Sequence, residues 1–444
     1  MRLVGHDDLQ GRSAYQPIIH AQGNRWIAYV GHHGGKAPNP LTGKVEDNGT
    51  SIVDVSDPAK PRYLAHMPGE PGEGESGGAQ MVRLCSGKTL PQGQPDKFYL
   101  LRTFGNSAHE IWDVSAPEKP ALVSRITGVR DTHKNFWECD TGIAYLVSGA
   151  PGWKTRRMTQ VYDLSDPAKP RFIRNFGLVG QQPGAPDSLR GTDYEMHGPI
   201  RVGNRIYFGY NTFLNGVIQI IDREKLLRGN PAAKDPYEPT DDNLTYPVVT
   251  TLYTSPRLGA HTTLPLLGME VPEFAKNTEG RTRDILVVVN ESLRNECQEN
   301  RQMMYVVDIT SETKPWGMAN FQVPEKSGDF CARGGRFGTH SSNESMTSPY
   351  HKKLVFLAYF NAGIRAVDIR DPWSPKEVGY FIPAVTDKTD KRCIRVDGAE
   401  RCKVAVQTNN VEVDDRGYIY GVDRANTGLH IVELTGAARS IAQP

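Results

Sequence analysis

Four stretches decide the fold: residues 52–65 (IVDVSDPAKPRYLA), 111–124 (IWDVSAPEKPALVS), 161–174 (VYDLSDPAKPRFIR) and 366–379 (AVDIRDPWSPKEVG). Each is a short apolar run closed by an acid, then a proline-bearing turn, then a second run. The repeating acids are Asp54, Asp113, Asp163 and Asp368, and weaker copies place Asp222 (IQIID), Asp308 (MYVVD) and Glu433 (HIVEL) in the same position. Seven units result. A unit of this size cannot bury its own apolar face, so the copies must stack on one another.

Upstream of each acid lies a β-rich run ending in aromatic residues: RWIAYVG, KFYLLRTFG, IAYLVSG, RIYFGYN, ILVVVNE, LVFLAYF and YIYGVDR. With the acidic strand, the strand after the turn and a strand before the aromatic run, each unit supplies four short strands. That pattern predicts an all-β chain folded as a seven-bladed β-propeller. The seventh unit stops at ELTGAARSIAQP without a fourth strand, whereas the N-terminal residues MRLVGH resemble the outer strand PKEVGYF of the sixth. The N-terminus is therefore expected to complete the last blade and remove an open sheet edge. One propeller is expected over residues 1–444.

The acidic strand, seen as SIVDV and YVVDI, resembles the repeat of the bacterial LVIVD-repeat proteins over nearly the whole chain. The resemblance implies the fold strongly and the activity weakly, because propellers host lyases, oxidases, hydrolases and scaffolds.

Lysine and arginine number 52 against 51 acids, so nothing steers the protein toward nucleic acid or an anionic membrane. No apolar run is long enough for a membrane span, and no leader with charged and apolar regions opens the chain. Two locations follow: the cytoplasm, or an exported protein whose leader has been removed. The six cysteines favour export. In KRCIRVDGAERCK, counting outward from the Asp397-Gly398 turn brings Cys393 opposite Cys402, where a disulfide can form. Cys297 and Cys331 each sit in an insertion and could form a second, while Cys85 and Cys139 read as strand residues. A disulfide makes a periplasmic or secreted protein the better expectation.

Function must lie on what faces the central channel. Aligning the units by their aromatic strands places comparable rim segments at SAYQPIIH, SGGAQMVRL, RDTHKNFW, DYEMHGPIRV, LGAHTTLPL, FGTHSSNES and VQTNNVEV. Four consecutive units carry a histidine there: His133, His197, His261 and His340. Twelve histidines in all make chance placement of four at one repeat position improbable. Four converging imidazoles suit a divalent transition metal, with iron or copper favoured and manganese or zinc as alternatives. Gln16, Gln80 and Asn409 or Asn410 hold the corresponding place in the other units.

Glu195, two residues before His197, and Glu344, four after His340, are candidates to orient a ligand or to act as general base. The loops after the aromatic strands return to the same rim and carry His32 and His33, an acid/base pair or second metal site. They also carry the substrate-binding candidates Arg102, Trp153, Lys154, Tyr210, Arg294 and Arg424, with Glu291 and Asn361 nearby. Rings mixed with cations suit a small aromatic or carboxylated molecule. His66, His109, His351 and His430 read as structural or surface residues.

Three function classes follow. The first is a redox metalloenzyme, similar in plan to the four-histidine carotenoid cleavage oxygenases and methanethiol oxidases. The second is a metal-dependent lyase or hydrolase in which a histidine or glutamate moves the proton. The third is a non-catalytic binding or scaffold propeller. The small-molecule enzyme of the first class is the leading expectation, with oligomeric state left open.

Overall fold

The computed structural model describes residues 1–186, 194–211, 215–271 and 280–441. Seven antiparallel sheets form a ring of blades. Their innermost strands are Ala14–Gln22, Val82–Ser86, Asn135–Trp137, Glu195–Val202, Thr262–Glu270, Ser341–Ser342 and Thr408–Val413. Each touches the next in that order and the last touches the first, so the ring is closed around a central axis.

The repeated acid has a local cause. The side chains of Asp54, Asp113, Asp163, Asp308 and Asp368 each accept the backbone N–H two residues on, at 2.8–3.0 Å, which starts the turn between the third and fourth strands. Asp222 instead caps the helix Arg223–Arg228 by accepting the Lys225 N–H, and the insertion of the fourth unit begins there. The aromatic runs become second strands buried on both faces between neighbouring blades, as Ile27–Val30 and Leu354–Ala358 show.

Closure occurs as expected. Strand Arg2–Asp7 pairs antiparallel with Gly428–Glu433 as the outer strand of the seventh blade, with Leu3 opposite Val432 and His6 opposite His430. Arg2 forms an ion pair with Glu433, the acid that departs from the aspartate of the other units.

Outside the blades stand two hairpins. One, Lys36–Pro38 with Val45–Asp47, lies within the first unit. The other, Lys391–Val396 with Ala399–Val404, precedes the seventh blade and has the register counted from its turn, Cys393 opposite Cys402. That pair is bonded, as is Cys297–Cys331. Cys85 and Cys139 depart from the reading as ordinary strand residues. They form a third disulfide, which staples the second blade to the third, and Cys139 lies just beyond its blade's inner strand.

Candidate metal centre and its surroundings

The four rim histidines reach one point because three of them leave the strand ladder in the same way. The N–H groups of His133, His261 and His340 donate to Val147, Val289 and Ala358, at or near the ends of their second strands, at 2.9–3.1 Å. His197 is skipped by the ladder, with Met196 opposite Tyr210 and Gly198 opposite Gly209. Such a bulge re-aims a side chain. All four imidazoles are buried.

Neighbouring rings follow one another around the axis, with centroids 4.6 Å apart for His133–His197, 4.1 Å for His197–His261 and 4.3 Å for His261–His340. The Nε2 atoms of His133 and His197 lie 2.9 Å apart. Glu291 stands among them: its Oε2 lies 3.8 Å from His197 Nε2, and its Oε1 lies 3.7 Å from His340 Nε2. Asn211 donates to one carboxylate oxygen at 3.0 Å and Arg336 to the other at 3.1 Å.

The ring orientations suit ligands. His340 Nδ1 lies 2.5 Å from the Asn409 carbonyl, which can only accept, so Nδ1 carries the proton and the Nε2 lone pair faces Glu291. His261 Nδ1 is 3.0 Å from Thr262 Oγ1, and its Nε2 has no partner among the described residues. Burial, followed by the nearby cations Lys134, Arg157 and Arg424, holds all four imidazoles well below the usual histidine pKa. Neutral imidazole is the form that binds a metal. Burial raises the Glu291 carboxyl, and Arg336 opposes that rise. His197, His261 and Glu291 each offer a ligand atom, all within 4.8 Å of one another, so the cluster could hold a metal ion.

Beside the centre are groups that the sequence did not single out. Tyr15, at the corresponding rim position of the first blade, brings its hydroxyl to 3.4 Å from His133 Nε2. The Lys134 ammonium is buried without a hydrogen-bond partner among the described residues, and burial brings its pKa down to about 8. Above the centre a cavity of about 200 Å³ is lined by Glu75, Arg156, Arg157, Glu195, His197 and Arg336, with Asn211 and Glu291 at its base. Arg157 pairs with Glu75 at 3.1 Å and helps to hold that carboxyl low against the opposing effect of burial.

Among the expected partners, Glu195 lines this cavity but spends its charge on Arg156, with bonds of 2.8 and 2.9 Å. Glu344 lies elsewhere. The short inner strand Ser341–Ser342 carries the chain from His340 toward the opposite mouth, where Glu344 pairs with Arg83 and lines a separate cavity of about 390 Å³ with Glu412 and Phe136. His32 and His33 point to opposite sides, as adjacent strand residues do. His32 is buried against Ser51 at 2.8 Å, whereas His33 lies against Ser13 and Tyr15 and lines a cavity at the mouth.

Several substrate-binding candidates are structural. Arg102 is buried, paired with Glu110 at 2.7 Å and bonded to the carbonyls of Met67 and Pro68, so it ties the first blade to the second. Trp153 and Tyr210 belong to the apolar core between the third and fourth blades, and the Tyr210 hydroxyl donates to Gln219. Lys154 donates to the Ala185 carbonyl. Arg294 is exposed on a loop anchored by Glu299. Arg424 lines a cavity at the mouth. Of the rim amides, Gln16 and Asn410 pair at 2.6 Å, while Gln80 is buried with neither amide atom partnered. Asn361 donates to the Phe330 and Gly334 carbonyls and so braces the stapled insertion.

A family model described as "LVIVD repeat" matches residues 45–65. No curated protein matches the chain in sequence. Among solved structures, Sqt1 from Chaetomium thermophilum superposes with a TM-score of 0.56 at 9% identity, covering 98% of both chains. A second crystal structure of Sqt1 from the same organism gives 0.55 at 10% identity, covering 98% of this chain and 99% of that one. At such identities the likeness concerns the fold alone. Among the described residues no helix is long and apolar enough to cross a membrane. The seven-bladed ring, its N-terminal closing strand and the matched repeat together support an LVIVD-repeat β-propeller.

Proposed function

We propose that the protein holds a divalent transition metal at His133, His197, His261 and His340, with Glu291 as a further donor, and acts as a metal-dependent oxidoreductase on a small aromatic or carboxylated molecule. The observation that carries this reading is the succession of four buried imidazoles from four consecutive blades, three of them, His197, His261 and His340, beside one buried carboxylate. Imidazole suits iron, copper and zinc, while a carboxylate oxygen draws the preference toward harder ions. His197, His261 and Glu291 have the two-histidine, one-carboxylate composition of non-haem iron oxygenases. Iron is therefore favoured over copper.

When bound, iron would supply one-electron oxidation and reduction to a molecule in the adjoining cavity. The chain's own part is to hold that molecule. Arg156, Arg157 and Arg336 line the cavity, each paired with a carboxylate of the same lining, Glu195, Glu75 and Glu291, so the wall offers donors and acceptors in balance, and the surrounding blades keep bulk water from the imidazoles. Asn211 and Arg336 fix both oxygens of Glu291, and Asn409 fixes the His340 ring.

A second reading, a manganese or zinc lyase or hydrolase, is favoured by one observation: Glu195 lines the same cavity as His197 and could move a proton there. Three disulfides support an oxidising compartment, periplasmic or secreted, as the place where the protein works.

Elemental analysis of protein purified without chelator or added metal tests the reading. About one equivalent of iron is expected, since a closed set of donors binds one ion. His197→Ala should lower metal content about tenfold or more while leaving the melting temperature nearly unchanged, because blade packing holds the ring. His430→Ala, whose ring bonds Thr427 and stacks on His6, should retain full metal. Manganese or zinc at stoichiometry transfers the assignment to the second reading. Metal-free wild type, or full metal in His197→Ala, overturns the site.

A further inference from the structure

Beside the metal centre, a second cavity of about 540 Å³ opens at the same mouth between the first blade and the disulfide-bonded hairpin. Its charged and ionisable lining consists of His33, Lys36, Glu73, Asp390, Arg392 and Arg424. The hairpin is held over the mouth from both sides. Asn295 donates to the Cys393 carbonyl at 3.0 Å, Arg401 and Lys403 pair with Glu296, and Arg392 donates to the Arg424 carbonyl at 3.1 Å. Arg392 is thereby carried to the rim.

Two guanidinium groups then share one wall. Among the described residues Arg424 has no ion-pair partner; its charge opposes those of Arg336 and Arg392 and the protonation of His33 and His340, and it favours the ionised forms of Glu75 and Glu291. Arg392 has Asp390 at 3.4 Å, but its Nε is buried without a partner. His33 is 1% exposed, its Nδ1 faces Ser13, and its Nε2 is likewise unpartnered. Buried polar atoms in folded proteins almost always have partners, so the Arg392 Nε–H, beside the Arg424 guanidinium that has no ion pair, calls for a ligand that accepts hydrogen bonds.

The charge count narrows the class. Lys36 is paired with Asp47 at 3.6 Å and Arg392 with Asp390 at 3.4 Å, so of the three cations in the lining Arg424 is the one without an ion pair among the described residues. A dianion would meet Glu73 and Asp390 at a cost, whereas a monoanion needs only that one free guanidinium. The planar fork of arginine matches a carboxylate in two parallel bonds. The volume falls in the range of small-molecule pockets. We propose that this cavity binds the carboxylate of a small organic acid through Arg424 and Arg392. This deepens the function proposed above and rests on it only in taking the acid for the substrate. The acid itself would bind without a metal.

Calorimetric titration of the full chain with benzoate tests the site, with the neutral isostere benzamide and inorganic phosphate as comparisons. Benzoate should bind wild type, and Arg424→Met and Arg392→Met should each weaken it about tenfold or more, as loss of a charge-assisted pair does. The Arg424 side chain has no partner to lose, so its variant should melt with wild type. Arg370→Met, which removes an exposed arginine paired only to Asp368 on an outer turn, controls for net charge. Benzoate affinity retained in His197→Ala, alongside loss of metal, supports an anion site separate from the metal. If benzoate is lost in His197→Ala and kept in Arg424→Met, the acid sits on the metal and the proposal falls. Benzamide equal to benzoate, phosphate binding without benzoate binding, or no binding of any probe also overturns it.

Discussion

A buried carboxylate among four neutral imidazoles must be held by other groups, and Glu291 is held by Asn211 and Arg336. Burial raises the Glu291 carboxyl against Arg336, and it raises a second carboxyl at the other mouth. Glu412 is buried near Glu344, and burial, then that second carboxylate, pushes its pKa up to about 7 from an ordinary 4.5. The N–H groups of Glu344, Ser345 and Val413 donate to it but do not cancel the rise. Because the folded value lies above the unfolded one, the folded state binds the extra proton. The group therefore costs stability above about pH 7, and the cost is relieved as pH falls toward 4.5. Carbon-13 NMR of the glutamate carboxyls should show one resonance titrating near pH 7 that disappears in Glu412→Gln. A spectrum in which every glutamate titrates below about pH 5 contradicts this.

At the scale of elements, the three disulfides are not equivalent. Cys85–Cys139 spans 54 residues and joins two blades, whereas Cys393–Cys402 spans 9 within one zipped hairpin. Constraint of the unfolded chain grows with the logarithm of loop length, which favours the longer bridge by about 1.5 kcal/mol. Cys85→Ala with Cys139→Ala should therefore lower unfolding free energy by about 2–4 kcal/mol, measured by denaturant titration. Cys393→Ala with Cys402→Ala should cost less globally but loosen the hairpin that carries Arg392. Equal global losses would show that the entropic account is wrong here.

For the whole ring, the decisive contact is between the chain's first strand and its last blade. Removing residues 1 to 8 strips the outer strand from Gly428–Glu433 and the Arg2–Glu433 pair. It also removes Val4, which packs on the core between the seventh and first blades. An open edge invites pairing with another chain. The truncated protein should melt well below wild type or aggregate, as thermal denaturation followed by light scattering would show. An unchanged melting temperature would mean that the ring closes through blade packing alone.

The repeat was legible because each unit needs an apolar strand, an acid to start the turn and a proline to shape it, and these requirements leave a periodic trace. From that period came the seven blades, the closing strand and the rim position of four histidines. Cys393 opposite Cys402 was legible because a hairpin register counts outward from its turn. Only the tertiary structure decided the rest. Glu291 and Arg294 share a loop, yet one enters the centre and the other faces solvent. Arg102 lies within the second strand of its blade and Arg424 just after the equivalent strand, and one braces two blades while the other lines the mouth. Glu344 stands close to His340 in sequence but at the opposite mouth. Repeat equivalence specifies where a backbone position lies around the axis. Which way a loop side chain turns, and whether a neighbouring blade already supplies its partner, depends on packing between units that share no local sequence.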